Sequence, residues 1–423
     1  MFERDSWIEV YKTLKSNKLR TLLTGFGVFW GIFMLSVMLG AGSGLQNGVT
    51  AGFSAIRVNT VVIFNGRTSK PYKGFMQGRW IDFNNSDVTA IRDNVPEIEY
   101  LSPAVQVETW RNIPGQSNVT HGLKKGTYDI QGNYPEAFKI EPVNVLEGRL
   151  LNYLDLLNKR KVVILGEVAK DELFQNGEDP LGKYVKIMGG YFQVIGVFSS
   201  KQSGRQGQEQ NKRVIMPFTT MQRVYNLGDK VHYFLISAKP SVPAAVVENK
   251  VKEILKDRHS VAPDDDQGVR SFNIEKIFKM VNGLFIGIQI LIWIVGTGTL
   301  MAGIVGVSNI MIVILKERTR EIGIQRAIGA RPWVIIRQIM MESLALTFIA
   351  GYIGLVIGVA IIETVATILK HSGGGSDSFR NPEINFGVAV SAVILLILSG
   401  LLAGFFPARR ALKIKPIDAL RSE

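Results

Sequence analysis

The sequence predicts an α-helical membrane protein with four transmembrane helices plus an α/β extracytoplasmic domain inserted between helices 1 and 2. Three observations carry this. Apolar residues make up 46% of the 423-residue chain but crowd into one segment near the N-terminus and three in the C-terminal third. A long polar stretch with short β-rich runs lies between the first segment and the second. Basic residues concentrate beside the apolar segments: 1–20, 316–337 and 407–423 hold 16 basic against 7 acidic residues, so +9 of the net +13 sits there. That distribution is the positive-inside pattern and places these three stretches in the cytoplasm.

Residues 1–20 form a cytoplasmic amphipathic segment. Trp7, Ile8, Tyr11, Leu14 and Leu19 share one face at helical spacing, opposite lysines, as in a helix lying on a membrane surface. Transmembrane helix 1 occupies 21–41. Its uncharged Leu22–Ala41 core is long enough to span at ~1.5 Å per residue against ~30 Å of hydrocarbon. The run is too long for a signal-peptide core, which predicts an uncleaved anchor. A large insert follows over 42–282. The second apolar segment, Leu284–Leu315, exceeds the bilayer, and Ile274, Ile277, Phe278, Val281 and Phe285 continue its periodicity upstream. One long helix with an amphipathic stalk is therefore expected, its stalk end and span covering 283–315. A basic loop at 316–337 leads to helix 3 (338–369), an outer loop (370–385), helix 4 (386–406) and a cytoplasmic tail (407–423).

Within the insert, β-runs are expected at Val61–Phe64, Lys161–Leu165, Tyr184–Ile187, Phe192–Val197, Val214–Met216 and Tyr233–Ser237. Helices are expected at Ser86–Asn94, Glu167–Asn176, Thr219–Leu227 and Val242–Arg258. The insert reads as two subdomains with a boundary near 145–160, and the polar 199–213 stretch reads as a mobile loop.

Several chemistries are disfavoured. Cysteine is absent, which removes disulfides, thiolate metal sites and cysteine nucleophiles. No GxxxxGK[ST] phosphate loop occurs, so the chain carries no ATP-binding loop of that kind. His121, His232, His259 and His371 are scattered, and Asp264-Asp265-Asp266 lacks a calcium-loop pattern and reads as a solvated turn. No cofactor, metal or catalytic residue is assigned, and four nearly uncharged spans argue against a nucleic-acid partner. Glu342 and Glu363 lie within the third apolar segment and are read as interfacial pairing residues. Glycines at GxxxG spacing (Gly27/Gly31, Gly283/Gly287, Gly354/Gly358, Gly400/Gly404) suit close helix packing within the bundle or across a dimer.

The loop between segments two and three is the most informative stretch. Glu317-Arg318-Thr319-Arg320-Glu321-Ile322-Gly323-Ile324-Gln325-Arg326-Ala327-Ile328-Gly329-Ala330-Arg331-Pro332 reads as a short charged helix, with Arg318 and Glu321 at pairing distance. Gly329 suits its stop and Pro332 the first turn of the next helix. A loop that only sets topology needs basic residues but no ordered helix carrying Ile322, Ile324 and Ile328. Docking of a cytoplasmic partner is the sharper reading.

The stretch from Asn309-Ile310-Met311 to Ala327-Ile328-Gly329-Ala330 resembles the signature of the MacB/FtsX-like ABC transporter permeases. Gly404-Phe405-Phe406-Pro407-Ala408-Arg409-Arg410-Ala411 with Pro416-Ile417-Asp418-Ala419-Leu420-Arg421 is similar to their C-terminal signature, and Asn17–Thr24 to their N-terminal one. Glu147-Gly148-Arg149, Val163–Gly166, Asp179–Lys183 and Val194–Val197 resemble their periplasmic core domain. The resemblance implies a non-catalytic permease subunit of the inner membrane with both termini cytoplasmic. It implies a cytoplasmic ABC ATPase on a separate chain, since some MacB proteins have a fused ATPase domain where this chain begins. A second permease, as homodimer or paralogous heterodimer, membrane lipids, a periplasmic adaptor and an outer-membrane channel are implied as well. On the matching positions, Glu317, Arg318, Arg320, Glu321, Ile322, Gly323, Ile324, Arg326, Ile328 and Gly329 are the ATPase-coupling residues. Efflux of a substrate by ATP-driven movement of the periplasmic domains is the expected function. Lipoprotein release, or FtsX-like signalling to a periplasmic partner, is the alternative.

Overall fold

In the computed structural model, four helices are long and apolar enough to cross a membrane, over Leu22–Ala51, Ile274–Glu317, Pro332–Leu369 and Gly387–Ala411. The structure describes residues 18–53, 56–106, 118–175, 177–202, 204–371, 379–383 and 386–412. Most of the amphipathic segment expected over 1–20 and most of the 407–423 tail lie outside them. Two compact units result, one of residues up to Gly48 together with Gly283 onward, the other Val49–Asn282.

The helices are α1 Lys18–Ala51, α2 Asn85–Asn94, α3 Ala137–Ile140, α4 Tyr153–Leu157, α5 Glu167–Leu173, α6 Gly204–Asn211, α7 Phe218–Val224, α8 Ala244–Arg258, α9 Ile274–Glu317, α10 Thr319–Ala327, α11 Pro332–His371 and α12 Phe386–Ala411. The strands are β1 Thr60–Asn65, β2 Phe83–Asn84, β3 Ile98–Gln106, β4 Val119–His121, β5 Lys124–Gly126, β6 Asp129–Asn133, β7 Val143–Gly148, β8 Val162–Gly166, β9 Tyr184–Ile187, β10 Gly190–Ser200, β11 Arg213–Pro217, β12 Lys230–Val231, β13 Tyr233–Ala238 and β14 Val269–Asn273.

In the helical unit, small residues set how closely the helices approach. A Cβ on Gly303 of α9 would meet the Gly27 backbone carbon of α1 at 2.9 Å, and one on Gly354 of α11 would meet the Phe29 carbonyl oxygen at 2.5 Å. Gly400 and Gly404 of α12 lie against Leu344 and Met340 of α11. Three of the four GxxxG pairs are thus used inside the chain, while Gly283 and Gly287 face open space. Helix α1 does not end near Ala41 but continues to Ala51. Its glycines are packing positions: Gly40 lies against Ile362, and Gly44 against Phe379 and Pro382. Helix α9 is continuous for 44 residues. Its upstream stripe, Ile274, Ile277, Phe278 and Val281, is less exposed than the intervening Lys276 and Lys279.

The insert is built on one mixed sheet of order β14-β1-β13-β3-β6-β11-β8-β10-β9-β4-β5, with β7 also pairing β10. Strands β8 and β10 are parallel, as are β6 and β11; the other pairs are antiparallel. In the middle of the sheet both faces are covered. Val163 and Leu165 of β8 enter the larger core with Val214 and Met216 of β11, while Val162, Ile164 and Ile215 enter a smaller one with Leu151 and Phe198. That is why β8 reads as an unbroken apolar run rather than an alternating one. Helices α2 and α8 close the larger core through Val88, Ile91, Val247, Val251 and Leu255.

Two helix starts share one device. Asn84 caps α2 and Asn152 caps α4, each in a capping box with an aspartate three residues on. Both aspartates are fully buried. Asp87 accepts from Arg258 Nε at 2.7 Å and lies 2.8 Å from His259 Nε2; Asp155 accepts from Arg149 at 2.6 Å and Arg160 at 3.3 Å. Burial alone raises a carboxyl, but hydrogen bonds from His259 and Arg258 outweigh it at Asp87, and those from Arg149, the Asn152 backbone and Arg160 outweigh it at Asp155. Both groups sit below the usual carboxylate range.

Strand β7, which ends at Gly148, and β8, which begins at Val162, both pair with β10, so the sheet pairing continues across 149–161. Two expectations need correction. The 199–213 stretch is not a loop: it holds α6, flanked by the ends of β10 and β11. Side-chain hydrogen bonds order it despite its polarity, with Ser200 N–H donating to Asn211 Oδ1 at 2.7 Å and Gln210 donating to Glu141 at 2.6 Å. The triple aspartate is a turn with Asp264 and Asp266 exposed, as expected, but its middle residue is not solvated. Asp265 is fully buried and accepts from the Ser69 hydroxyl and from the backbone N–H groups of Ser69, Lys70 and Gln267. Its neighbours Asp264 and Asp266 pair with Lys70 and Lys256.

Candidate functional site

Helix α9 ends at Glu317, and a single residue separates it from α10. Arg318 bridges them at φ −94° and ψ 13°: its N–H bonds the Ile314 carbonyl at 3.0 Å, and its carbonyl accepts from Ile322 at 3.1 Å. The C-terminal stop is a Schellman turn. Gly329 has φ +98°, its N–H bonds the Arg326 carbonyl, and the Ala330 N–H bonds the Gln325 carbonyl at 3.0 Å. Glycine is the residue that adopts this backbone without a Cβ penalty. Pro332 then opens α11 at the first helical position, where its missing N–H has no intrahelical partner to lose.

One side of this segment is anchored. Ile322 and Gly323 are buried, and Ile322 joins the core of Met311, Leu315, Ile335 and Ile339. Arg318 reaches Glu342 of α11 at 3.0 Å and Glu321 at 3.7 Å. The pairing expected for Glu342 is therefore present and ties α10 to α11. Arg326 donates to the Leu412 carbonyl at 3.0 Å, which ties α10 to the residue directly after α12. The pairing expected for Glu363 is not found: its exposed side chain has no ion pair among the described residues.

The other side is open. Arg320, Ile324 and Ile328 follow at i, i+4 and i+8, all exposed, with Ile328 82% accessible. Glu317 and Glu321 flank them, and Trp333 and Val334 add exposed apolar surface just past Pro332. Arg320 makes no ion pair with any described residue. Of the residues singled out from sequence, Arg318, Ile322, Gly323 and Arg326 hold the segment in place, and Gly329 shapes its end. Glu317, Arg320, Glu321, Ile324 and Ile328 form its outer face. Trp333 and Val334 were missed; the signal was two apolar residues directly after a helix-opening proline in a charged loop. The near-match to a phosphate loop, Gly177-x4-Gly182-Lys183-Tyr184, is a turn leading into β9 in which Lys183 pairs with Glu178 at 2.5 Å.

A family model described as MacB-like periplasmic core domain matches residues 21–254, and one described as FtsX-like permease C-terminal matches residues 293–416. The chain belongs to the MacB/FtsX-like ABC permease family. It is 27% identical over 423 residues to the pyoverdine export ATP-binding/permease protein PvdT of Pseudomonas entomophila, with 98% of this chain and 59% of the relative covered. It is 28% identical over 434 residues to the macrolide export ATP-binding/permease protein MacB of Hahella chejuensis, covering 99% of this chain and 62% of that one. The chain thus spans about three fifths of the length of these relatives. The crystal structure of the periplasmic region of MacB from Actinobacillus actinomycetemcomitans is 24% identical and covers 54% of this chain and 94% of its own, with a TM-score of 0.42. This permease is accordingly an inner-membrane protein, and its sheet-rich insert is an extracytoplasmic domain.

Proposed function

We propose that this chain is the permease subunit of a MacB-type export system, and that the 317–330 segment is the surface on which an ATPase docks. The observation that carries this is the division of that segment into an anchored side and an open one. A loop that only sets topology gains nothing from Arg318–Glu342, Arg326–Leu412 and a buried Ile322. A docking helix needs such ties, because they pass force from its outer face to α9, α11 and α12.

No GxxxxGK[ST] loop occurs in these 423 residues, so ATP is hydrolysed outside them, by an ATPase that docks on the 317–330 segment. Both termini and the 316–337 loop lie in the cytoplasm, as their basic residues favour. A second permease completes the transporter, and the ATPase pair moves the helices so that the extracytoplasmic domains change shape. Export is favoured over lipoprotein release or signalling by the export activity named for the relatives and by the size of the 49–282 domain. A periplasmic adaptor and an outer-membrane channel extend the route.

Charge reversal at Arg320 or Glu321 tests the assignment. A partly desolvated interfacial charge contact is worth ~2–5 kcal/mol when one partner is lost, against ~0–1 for an exposed pair. The expected outcome for Arg320→Glu and Glu321→Lys is normal membrane abundance, weakened ATPase pull-down and lost transport, normalised to permease level. Wild-type association and transport in both variants would reduce the loop to a topogenic element. Reporter fusions after Arg20 and within 316–337 should read cytoplasm, and fusions within 199–213 should read outside.

A further inference from the structure

The extracytoplasmic domain holds a cleft of about 440 Å³, open to solvent, lined by α2, the start of β3, α3 and Tyr153 of α4. That size falls in the range of small-molecule sites, roughly 300–1,000 Å³. Its walls are stiff. Pro96 and Pro135 belong to them, and the Tyr100 ring is backed by the Arg57 guanidinium 4.8 Å from its centre. That guanidinium is itself fixed on Glu99 at 2.8 Å and on the Lys139 carbonyl at 3.0 Å. Tyr153 follows the Asn152 cap of α4 directly and stands half exposed. Charge in the lining is one-sided. Glu99 is neutralised by Arg57, and Glu136 turns its Oε2 into a buried position, away from the opening. Arg92, in the last turn of α2, and Lys139, in the last turn of α3, are exposed and form no ion pair with any described residue.

With Arg57 counted, three basic groups face two acidic ones, so the cleft stays positive even with Glu136 ionised. A recess with low-dielectric walls concentrates such a potential and raises the local concentration of anions. The two cations without partners are also the groups best placed to reach a ligand, since both are exposed and the acids are not free to compete for them. We propose that this cleft binds a small amphipathic anion, a carboxylic acid with an aromatic body, whose carboxylate meets Arg92 and Lys139 while the body lies against Tyr100, Tyr153 and the two prolines. Arginine suits the role because its fork matches a carboxylate in two parallel hydrogen bonds. The small excess of positive charge favours a monoanion, because a polyanion meets Glu99 and Glu136 as well. An aspartate or glutamate presented by a partner protein is the competing occupant, and the concave volume with its ring walls favours the small molecule. The site does not rest on the ATPase-coupling assignment, because every residue in it lies within 49–282 and its test is an equilibrium titration.

The test uses the full chain in phosphatidylcholine nanodiscs, with empty discs subtracted. The probe is dansylglycine, a fluorescent carboxylic acid, against dansylglycinamide, which keeps the ring system and loses the charge. The expected result is saturable binding of the acid, about tenfold weaker for the amide and for the Arg92→Gln/Lys139→Gln double variant. Either single variant and Tyr153→Ala should each bind several-fold more weakly. Added salt should weaken the acid and leave the amide unchanged. The double variant should keep the wild-type thermal midpoint, since neither side chain has an ion pair to lose among the described residues. If that midpoint falls, the salt dependence and Tyr153→Ala decide. No saturable binding, equal binding of the two probes, or unchanged binding in the double variant overturns the proposal. Loss of a bound partner protein in the double variant, with no probe binding to the wild type, would give the cleft to an acidic side chain and equally overturn it.

Discussion

The sheet-built domain and the helical unit use the same amino acids in opposite places. In the domain the largest fully buried side chains are Phe83, Phe192, Phe198, Phe218 and Phe234, and two buried aspartates are held by arginines. In the helical unit Leu284, Ile294 and Phe406 are more than 60% exposed, while Ser343, Thr347 and Ser399 are buried and bond backbone carbonyls of their own or neighbouring helices. Water drives apolar side chains together in the first case. In a bilayer no such drive acts between helices, so contact depends on close backbone approach at glycines and on locally satisfied hydroxyls. Stability therefore hangs on different residues in the two regions.

The largest expected loss comes from breaking the domain's buried charge cluster. Asp87→Ala removes a capping box and leaves Arg258 and His259 without their carboxylate. Removing one partner of a buried pair costs about 3–5 kcal/mol, here toward the low end because Arg258 keeps solvent contact. Hydrogen exchange in α2 and α8 should rise while exchange in α11 and α12 stays unchanged. Acid sharpens the same contrast. Asp87 and Asp155 lie below the ordinary carboxylate range when folded. Their contribution is full above the unfolded value of about 3.9 and is lost as pH falls through the folded values. The domain should therefore lose protection below about pH 4 ahead of the helical unit, and Asp87→Asn should make that limb shallower. Simultaneous loss in both units would refute the contrast.

A smaller loss is expected where the helices cross. Gly303→Leu forces α9 off the Gly27 backbone, and overpacking of this kind costs about 1–3 kcal/mol. Gly283→Leu, with nothing within 4 Å, should leave the chain's own packing intact. Thermal unfolding in nanodiscs separates the two variants. The smallest effect belongs to the surface: Lys73→Ala removes an exposed pair with Asp257 at 3.2 Å, and its midpoint should shift by no more than ~1 kcal/mol implies.

The same division of labour explains what was legible in the sequence. The spans, the long α9 and the β-runs around Val61, Val163 and Phe234 announce themselves through apolar patterning that their surroundings reward. Strand β6, Asp129–Asn133, did not, because Gln131 and Asn133 are buried polar residues and Gly132 is there for space: a Cβ on it would meet Met221 of α7 at 2.8 Å. Strand β3 carries Pro103, which argues against a strand until its β13 partner is known. Helix α6 and the buried Asp265 depend on partners distant in sequence, Glu141 for one and Ser69 for the other. In the candidate site, the helix, its glycine stop and the Arg318–Glu321 pair follow from local spacing. The ties to Glu342 and Leu412 do not, since they join residues 24 and 86 positions apart.

Those ties have a mechanical consequence. A short helix joined to α9 through Arg318, to α11 by a four-residue turn and an ion pair, and to the end of α12 through Arg326 has very little compliance of its own. A load on its outer face has no slack to take up before it reaches three long helices together. On the proposed docking of an ATPase, the stroke it delivers would be set by how far those helices can tilt, and lengthening the turn after Gly329 by a few glycines would absorb that stroke while leaving the outer face intact.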